Sequence, residues 1–261
     1  MTKLPVIGIL GIGVIGSALA HGFATADPPY PLLLSSLDKR NMTALASSFP
    51  ERITLATDNQ QMLDRADWVI LAIPPAQSES ILRSLRFRPD HKVINLLADK
   101  SLEQIAEWIG PTALLAHMVP LSFVSQHFGP IVVYPRSQEL IRLMAPLGEI
   151  IVAGSPLQVH VFQSITGLMA SFDTLLDYIV HWAGDQGVEE LSAKAYATSF
   201  FGALCKQAAQ ATAERLHELA GEMTPGGINA MVKRHLEEHN SLKNWIEALN
   251  PVMARLAAAK K

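Results

Sequence analysis

The feature that most constrains the fold is a glycine-rich turn between an apolar strand and a helix near the start of the chain. Residues 6–10 are apolar and β-like, Gly11-x-Gly13-x-x-Gly16 follows at once, and residues 14–20 favour a helix. Glycines in this position allow backbone amides at the start of a helix to approach a phosphate closely. The pattern predicts a dinucleotide-binding site, and a purely structural turn is the alternative.

Each glycine has its own role in this prediction. Gly11 allows the tight turn, Gly13 leaves room for a pyrophosphate, and Gly16 lets the helix pack closely on the strand. The first free amides of the helix face the phosphates, where the positive end of the helix dipole also contributes. We therefore predict that the cofactor is bound by Gly11, Gly13, Val14, Ile15 and Gly16.

Composition excludes several classes of function. The chain has 261 residues and a formal net charge of -3, with no basic stripe to neutralise the phosphates of a nucleic acid. Its single cysteine, Cys205, rules out a disulfide framework within the chain and fits a reducing cytoplasm. We expect Cys205 to be a buried structural thiol. No metal site is predicted.

One uncharged segment is long enough to span a bilayer. Residues 150–172 carry no charge, but they contain glycine, proline and several polar side chains that lower their hydropathy. We interpret the segment as the end of a strand followed by a buried helix. The chain is therefore predicted to be cytoplasmic, without a membrane span.

Residues 1–154 alternate short apolar runs with helical stretches. Strands separated by helices are typical of parallel βαβ units, in which both faces of the sheet are covered. This half is predicted to be a Rossmann-type doubly wound α/β domain. The predicted strands are 6–10, 32–36, 53–55, 68–73, 93–97, 114–117, 131–133 and 149–153.

Residues 155–261 show no convincing strand. We predict four helices there, over 156–185, 189–222, 225–239 and 242–259. The first is apolar on most sides, and a helix of that kind must be buried on most sides. This half is therefore predicted to be an all-α dimerisation and substrate domain, and a self-contained helical bundle is the alternative.

The end of the second strand determines the choice of cofactor. Sites specific for NAD usually place an acidic residue there, but this chain has Ser35 and Ser36, followed by Lys39 and Arg40. Hydroxyl groups and cations suit a 2′-phosphate, so we predict NADP. NAD remains open through Asp38, and a solvated charged turn is the alternative.

Two further segments are candidates for the site. The fourth strand ends at Ile73 and Pro74, beside the end of the first strand, where doubly wound sheets bind ligands. A rigid structural turn explains the prolines equally well.

The second segment comprises Thr224, Pro225, Gly226 and Gly227. Thr224 resembles an N-cap, Pro225 the first helical residue, and the glycines leave amides unobstructed. A helix start of this kind suits an anion such as a substrate carboxylate, and an ordinary capped helix start is the alternative.

With these features the chain resembles the pyrroline-5-carboxylate reductase family over nearly its full length. Four segments carry the resemblance: 11–20, 69–75, 164–170 and 224–227. It implies a Rossmann domain joined to an interleaved helical dimerisation domain, sometimes assembled into decamers. It also implies reduction of a cyclic imine acid to proline with NADPH or NADH, a step of proline biosynthesis.

The chain departs from the family near the nicotinamide and the substrate. The Asn of the family's Met-Pro-Asn-Thr-Pro segment is absent at Leu121, and the Lys of its Val-Lys-Pro segment is absent at Pro74. Asn229 replaces a Thr that contacts the imine nitrogen in the family. We predict catalytic roles for Asn229 and Thr224, and a substrate contact at Thr166 in the segment 164–170.

The chemistry separates the hypotheses. A cyclic iminium is already protonated, so its reduction requires chiefly a positioned hydride and a clamp for the carboxylate. A dehydrogenase of a hydroxy or amino acid requires a proton acceptor, and His117 is the candidate. The third hypothesis is a sensor that binds NADP without catalysis. The leading prediction is a homodimeric, NADP-dependent reductase of a small imine acid.

Overall fold

The fold consists of two compact units. The computed structural model describes residues 4–35, 39–222 and 224–258. The first unit comprises Met1–Gln163 and Ala254–Lys261, and the second comprises Ser164–Met253. The boundary predicted after residue 154 precedes this division, because Val159 of the following helix packs with Val132 and Ala153 in the first unit.

An eight-stranded sheet forms the centre of the first unit, and each predicted strand is present. The order across the sheet is β3-β2-β1-β4-β5-β6-β7-β8. The strands are β1 (Ile7–Leu10), β2 (Leu32–Ser35), β3 (Ile53–Leu55), β4 (Trp68–Leu71), β5 (Lys92–Asn95), β6 (Leu114–Val119), β7 (Pro130–Tyr134) and β8 (Glu149–Val152).

One part of the sheet differs from the predicted parallel arrangement. Strands β6 and β7 pair antiparallel, with His117 opposite Tyr134. The connection between them, residues 120–129, holds only a short 3-10 turn at Ser122–Gln126. A parallel crossover needs a dozen or more residues, usually with a helix, so the chain reverses here instead.

Helices cover both faces of the sheet, which confirms the doubly wound class. They are α1 (Val14–Thr25), α2 (Lys39–Ser48), α3 (Asn59–Arg65), α4 (Ser78–Arg83), α5 (Leu102–Ile109), α6 (Gln138–Met144) and α7 (Pro156–Thr166). Ile9 packs in the apolar cluster that contains Phe23 of α1. The next residue, Leu10, packs in the opposite cluster with Leu82 of α4. Alternate residues thus face opposite layers, as a sheet buried on both faces requires.

Side chains cap the starts of α3 and α5 in the first unit. Ser101 and Gln104 form a capping box at the start of α5. Asp58 is the N-cap of α3 and accepts the Gln61 amide at 2.8 Å, while the Gln61 side chain accepts the Thr57 amide.

The second unit is helical, as predicted, but its helices are shorter than expected. They are α8 (Met169–Asp185), α9 (Glu190–Gln210), α10 (Arg215–Leu219), α11 (Ile228–Glu238), α12 (Ser241–Glu247) and α13 (Leu249–Ala258), the last of which ends in the first unit. The predicted helix 156–185 breaks where the amides of Gly167 and Leu168 bond three residues back. Pro251 lacks an N–H, and the predicted helix 242–259 restarts just before it.

Large apolar side chains on the second unit are mostly exposed. Among its described residues, only Ala193 and Ala197 are buried apolar positions. Trp182 and Tyr196 are 64% and 75% exposed. Cys205, expected to be buried, is exposed on α9. Within the described ranges, no helix combines the length and apolar character needed to cross a bilayer.

Candidate functional site

The glycine turn after β1 has the geometry predicted for a phosphate loop. Gly11 has φ +99°, and a Cβ there would lie 2.5 Å from the carbonyl oxygen of Ala72. A Cβ at Gly16 would collide with the carbonyl oxygen of Gly11. At Gly13, by contrast, a Cβ would meet nothing within 4 Å. The first and third glycines are therefore required by packing, whereas the second faces open space.

Helix α1 begins directly at this open space. Gly13 is its N-cap, and no side chain caps the helix. The Ser17 amide bonds to the Gly13 oxygen at 2.9 Å, so the helical hydrogen bonds start here. The amides of the first turn have no partner within the helix, and the positive end of the dipole adds to their attraction for an anion. Val14 is 78% exposed beside them.

A cavity of about 300 Å³ extends from the glycine turn across the carboxyl ends of β1, β2 and β4. Five residues predicted to bind the cofactor line it: Gly11, Gly13, Ser35, Ile73 and Pro74. The sequence-based prediction missed two polar lining residues, Asn59 and Gln77. Asn59 is the first residue of α3, which follows β3. The alternation of strands and helices in the sequence therefore places it at the carboxyl edge of the sheet.

The end of β2 is tied to both the glycine turn and α3. The Gly11 amide donates to the Ser35 oxygen at 2.8 Å. The Ser35 hydroxyl donates to Asn59 Oδ1 at 2.5 Å. These contacts give the wall of the cavity polar groups suited to a ribose.

The predicted cations begin the next helix. Lys39 and Arg40 are the first residues of α2 and are exposed. Nδ2 of the Asn41 side chain donates to the backbone oxygen of Ile12 at 3.4 Å, which brings this first turn beside the glycine loop. Ser36, predicted to bind the cofactor, lies outside the described residues.

The segment at 224–229 adopts a turn rather than the predicted helical cap. The Gly227 amide bonds to the Thr224 oxygen at 2.9 Å, and Gly226 has φ +71°. Pro225 followed by a left-handed glycine is typical of a type II turn. Helix α11 therefore starts at Ile228, with Gly227 instead of Thr224 as N-cap. Asn229 is exposed in its first turn.

The other predicted substrate contact, Thr166, is the last residue of α7. It belongs to the second unit, together with the 224–229 segment. The nucleotide cavity belongs to the first unit. The structure thus groups the predicted cofactor residues in one unit and most of the predicted substrate residues in the other.

His117, the candidate proton carrier, is buried on β6 with 6% of its surface exposed. Gln163 Nε2 lies 3.4 Å from His117 Nε2, within hydrogen-bond distance. Burial, reinforced by neighbouring His160, lowers the pKa of His117 to about 4. The ring is therefore neutral at pH 7.

The comparisons agree with the geometry. Residues 6–99 match the family model described as NADP oxidoreductase, coenzyme F420-dependent. NADP, the cofactor of this family, is also the cofactor predicted from the sequence. A pyrroline-5-carboxylate reductase of Dictyostelium discoideum is 25% identical over 116 residues, which are 44% of this chain. That alignment spans only 21% of the relative's length.

Two solved structures share the fold over almost the whole chain. The pyrroline-5-carboxylate reductase of Streptococcus pyogenes has a TM-score of 0.84, 19% identity, and coverage of 98% of this chain and 99% of its own. The Plasmodium falciparum enzyme, solved with NADP bound, has a TM-score of 0.84, 16% identity, and coverage of 98% of each chain. The chain therefore shares the fold of these pyrroline-5-carboxylate reductases. The match to the NADP oxidoreductase family model supports the prediction that the chain is an oxidoreductase.

The burial of neutral His117 predicts how the unfolding free energy changes with pH. Its pKa is lowered in the folded state, so the unfolded chain binds more protons as the pH falls below about 6.5. The contribution of neutral His117 to the unfolding free energy is complete above that pH and is lost as the pH falls toward about 4. Wild type should lose unfolding free energy when the pH is lowered from about 7.5 to about 5. In His117→Gln that decrease should be smaller by about 2 kcal/mol.

Urea unfolding at the two pH values measures this difference. His217→Gln, a substitution of an exposed histidine on α10, serves as the control and should leave the pH dependence unchanged. An equal acid loss in wild type and His117→Gln would contradict the prediction.

Proposed function

We propose that this chain is an NADPH-dependent reductase of a small cyclic imine that carries a carboxylate. The observation that carries the proposal is the open space over Gly13 at the uncapped start of α1. The free amides at this helix start would bind a ligand that carries negative charge. The likeness to pyrroline-5-carboxylate reductases supports the substrate class.

The residues of the first unit fit the parts of the cofactor. The turn of Gly11, Gly13 and the α1 amides would hold the pyrophosphate. Ser35, linked to Asn59, would hold the adenosine ribose, and Lys39 and Arg40 would neutralise a 2′-phosphate. Bound NADPH supplies a hydride to the substrate carbon.

The start of α11 fits the substrate carboxylate. Gly227 and Asn229 present helix N-terminal amides that no side chain caps. Thr224 and Pro225 hold the preceding turn, and Thr166 would supply a further substrate contact. Asn229 provides a neutral amide where the resemblance indicates a polar contact to the substrate.

The protonation state of His117 favours imine reduction over the dehydrogenase alternative. A dehydrogenase needs an accessible base near the reacting carbon, whereas His117 is buried and bonded to Gln163. Reduction of an iminium leaves a neutral amine and needs no proton at that step. Positioning of the two reactants is then the main task of the protein.

We further propose that a second copy of the chain covers the second unit. Helices α8 and α9 enclose a cavity of about 580 Å³ lined almost wholly by apolar side chains, including Trp182, Tyr196 and Phe200. Exposed apolar surface of this extent on a helical unit with so small a core marks a protein interface. A symmetric dimer covers the same surface on both copies.

The test of activity is a substrate panel. With NADPH, we expect turnover of five- and six-membered cyclic imine acids. The loss of absorbance of the reduced nicotinamide measures the rate. Analogues that lack the carboxylate should lose at least about tenfold in kcat/KM, because the anion contact is missing. Turnover of open-chain keto acids alone, or no turnover by NADPH-bound enzyme, would overturn the proposal.

Gly13→Ala tests the cofactor site without disturbing the fold. The new methyl group meets no protein atom, so the unfolding free energy should change by less than about 1 kcal/mol. It occupies the phosphate position, so the NADPH dissociation constant should rise about tenfold or more. Gly16→Ala should lower stability as well, because its methyl group collides with Gly11. Unaltered NADPH affinity in Gly13→Ala argues against the site.

Light scattering tests the dimer. Wild type should have twice the chain mass of 28.4 kDa. Tyr196→Lys introduces a charge on the apolar face of α9 and should shift the protein toward monomer. Leu55→Lys, at an exposed apolar position on edge strand β3, should leave the mass unchanged. A monomeric wild type at micromolar concentration would refute the dimer.

A further inference from the structure

The side of the nucleotide cavity that faces β4 differs in character from the wall on the β2 side. Pro74, Gln77 and Ile81 line it. They come from the segment that leaves β4, forms a short 3-10 turn and continues into α4. Two of these side chains are apolar, and the third ends in an amide. Such a surface suits a flat ring that has apolar faces and a polar edge.

The backbone of Gln77 is held on both sides by hydrogen bonds. Its amide donates to the Pro74 oxygen at 3.1 Å, and its carbonyl oxygen accepts the Ser80 hydroxyl at 3.0 Å. Gln77 is the N-cap of α4, but its side chain does not cap the helix. The backbone therefore fixes the position of Gln77, while its side chain remains available to a ligand.

The side-chain amide of Gln77 is exposed and makes no hydrogen bond to a residue in the described part of the chain. Gln60 of α3 shows the contrast. Its Nε2 donates to Asp64 Oδ1 at 2.8 Å, and its Oε1 accepts the Arg86 amide at 2.9 Å. Because Gln77 lines the cavity, its side chain offers a hydrogen-bond acceptor and a donor, side by side, to a ligand bound there.

The chemistry of the proposed cofactor indicates which of its parts meets Gln77. The pyrophosphate is assigned to the turn of Gly13, and the adenosine ribose to Ser35 and Asn59. The base is attached to the ribose on the side remote from the phosphate. The space left for the base is the part of the cavity between Asn59 and Gln77. It lies on the face of the sheet that α3 and α4 cover, where Ile81 also packs.

We propose that Gln77 recognises the adenine base of NADPH, with Oε1 accepting the N6 amino group and Nε2 donating to N7. This inference rests on the proposed NADPH site and names the residue that selects its base. A glutamine amide matches this edge of adenine with two parallel hydrogen bonds. Pro74 and Ile81 contact the faces of the ring. The base is thus held by apolar contact and identified by its edge.

The affinity for a base analogue tests this role. The hypoxanthine analogue of NADPH has an oxygen acceptor in place of the N6 amino group, so Gln77 Oε1 loses its donor. In calorimetry, wild type should bind NADPH about tenfold more tightly than the analogue. Gln77→Met should bind NADPH about tenfold more weakly than wild type and lose the preference. Equal affinity of wild type for the two nucleotides would overturn the proposal.

A fragment of the cofactor locates the contact. Adenosine 2′,5′-bisphosphate has the adenine base and the 2′-phosphate but no nicotinamide. Gln77→Met should weaken the binding of this fragment by the same factor as the binding of NADPH, because the base is common to both. A loss of affinity for NADPH without a loss for the fragment would place Gln77 on the nicotinamide half and contradict the assignment.

Gln138→Met is the matched control, because Gln138 is also an exposed glutamine at a helix start. It begins α6 after β7, which runs antiparallel to β6, so it lies at the opposite edge of the sheet. Its nucleotide affinities should equal those of wild type. Both variants should unfold at the urea concentration of wild type, because neither loses a buried contact. An equal loss of NADPH affinity in Gln138→Met would show a general effect and overturn the assignment.

These binding measurements separate the inference from the proposed function, because they need no substrate. A preference for adenine that disappears in Gln77→Met supports the inference even if no imine is reduced. In that case only the proposed reductase activity fails. If imines are reduced and Gly13→Ala weakens NADPH binding, but Gln77→Met binds NADPH as wild type does, the proposed function stands. The role assigned to Gln77 is then wrong.

Discussion

The contact between the glycine turn and the head of α1 determines the geometry of the whole carboxyl edge. Gly11 lies against the Ala72 carbonyl at the end of β4, and Gly16 lies against Gly11 itself. A methyl group at either position would force the helix away from the sheet. Because the helix starts this close to the strand ends, its free amides open into the cavity that Ser35 and Asn59 also line. The geometry of the candidate anion site is therefore a consequence of backbone packing.

The two units bury their apolar side chains to different extents. In the first, residues such as Ile9 and Leu10 are buried on opposite faces of the sheet, and helices complete both layers. In the second, α8 has no buried residue, although its composition is apolar. Hydrophobic burial is roughly proportional to area, so a unit that leaves Trp182 and Tyr196 exposed gains little from folding alone. The proposed dimer supplies the missing burial.

The sequence predicted the strands well, because short apolar runs between helical stretches have few other interpretations. It did not predict the reversal of β7, because the strands were assigned from apolar runs alone, whereas the short connection at residues 120–129 decides the direction. The breaks at Gly167 and before Pro251 were also not predicted. In the candidate site, Gly11 and Gly16 were predictable from close packing within the chain, and Gly13 from the room that a phosphate needs. Asn59 was missed although its position after β3 was predictable, because an asparagine at a helix start also fits local capping.

The start of α1 is suited to an anion because of partial charges alone. Helix amides carry a partial positive charge, so a pyrophosphate placed there would need no counter-ion from a side chain. No side chain caps α1, and a Cβ at Gly13 would meet nothing within 4 Å, so these amides stay accessible. The attraction for an anion is therefore present before any ligand arrives.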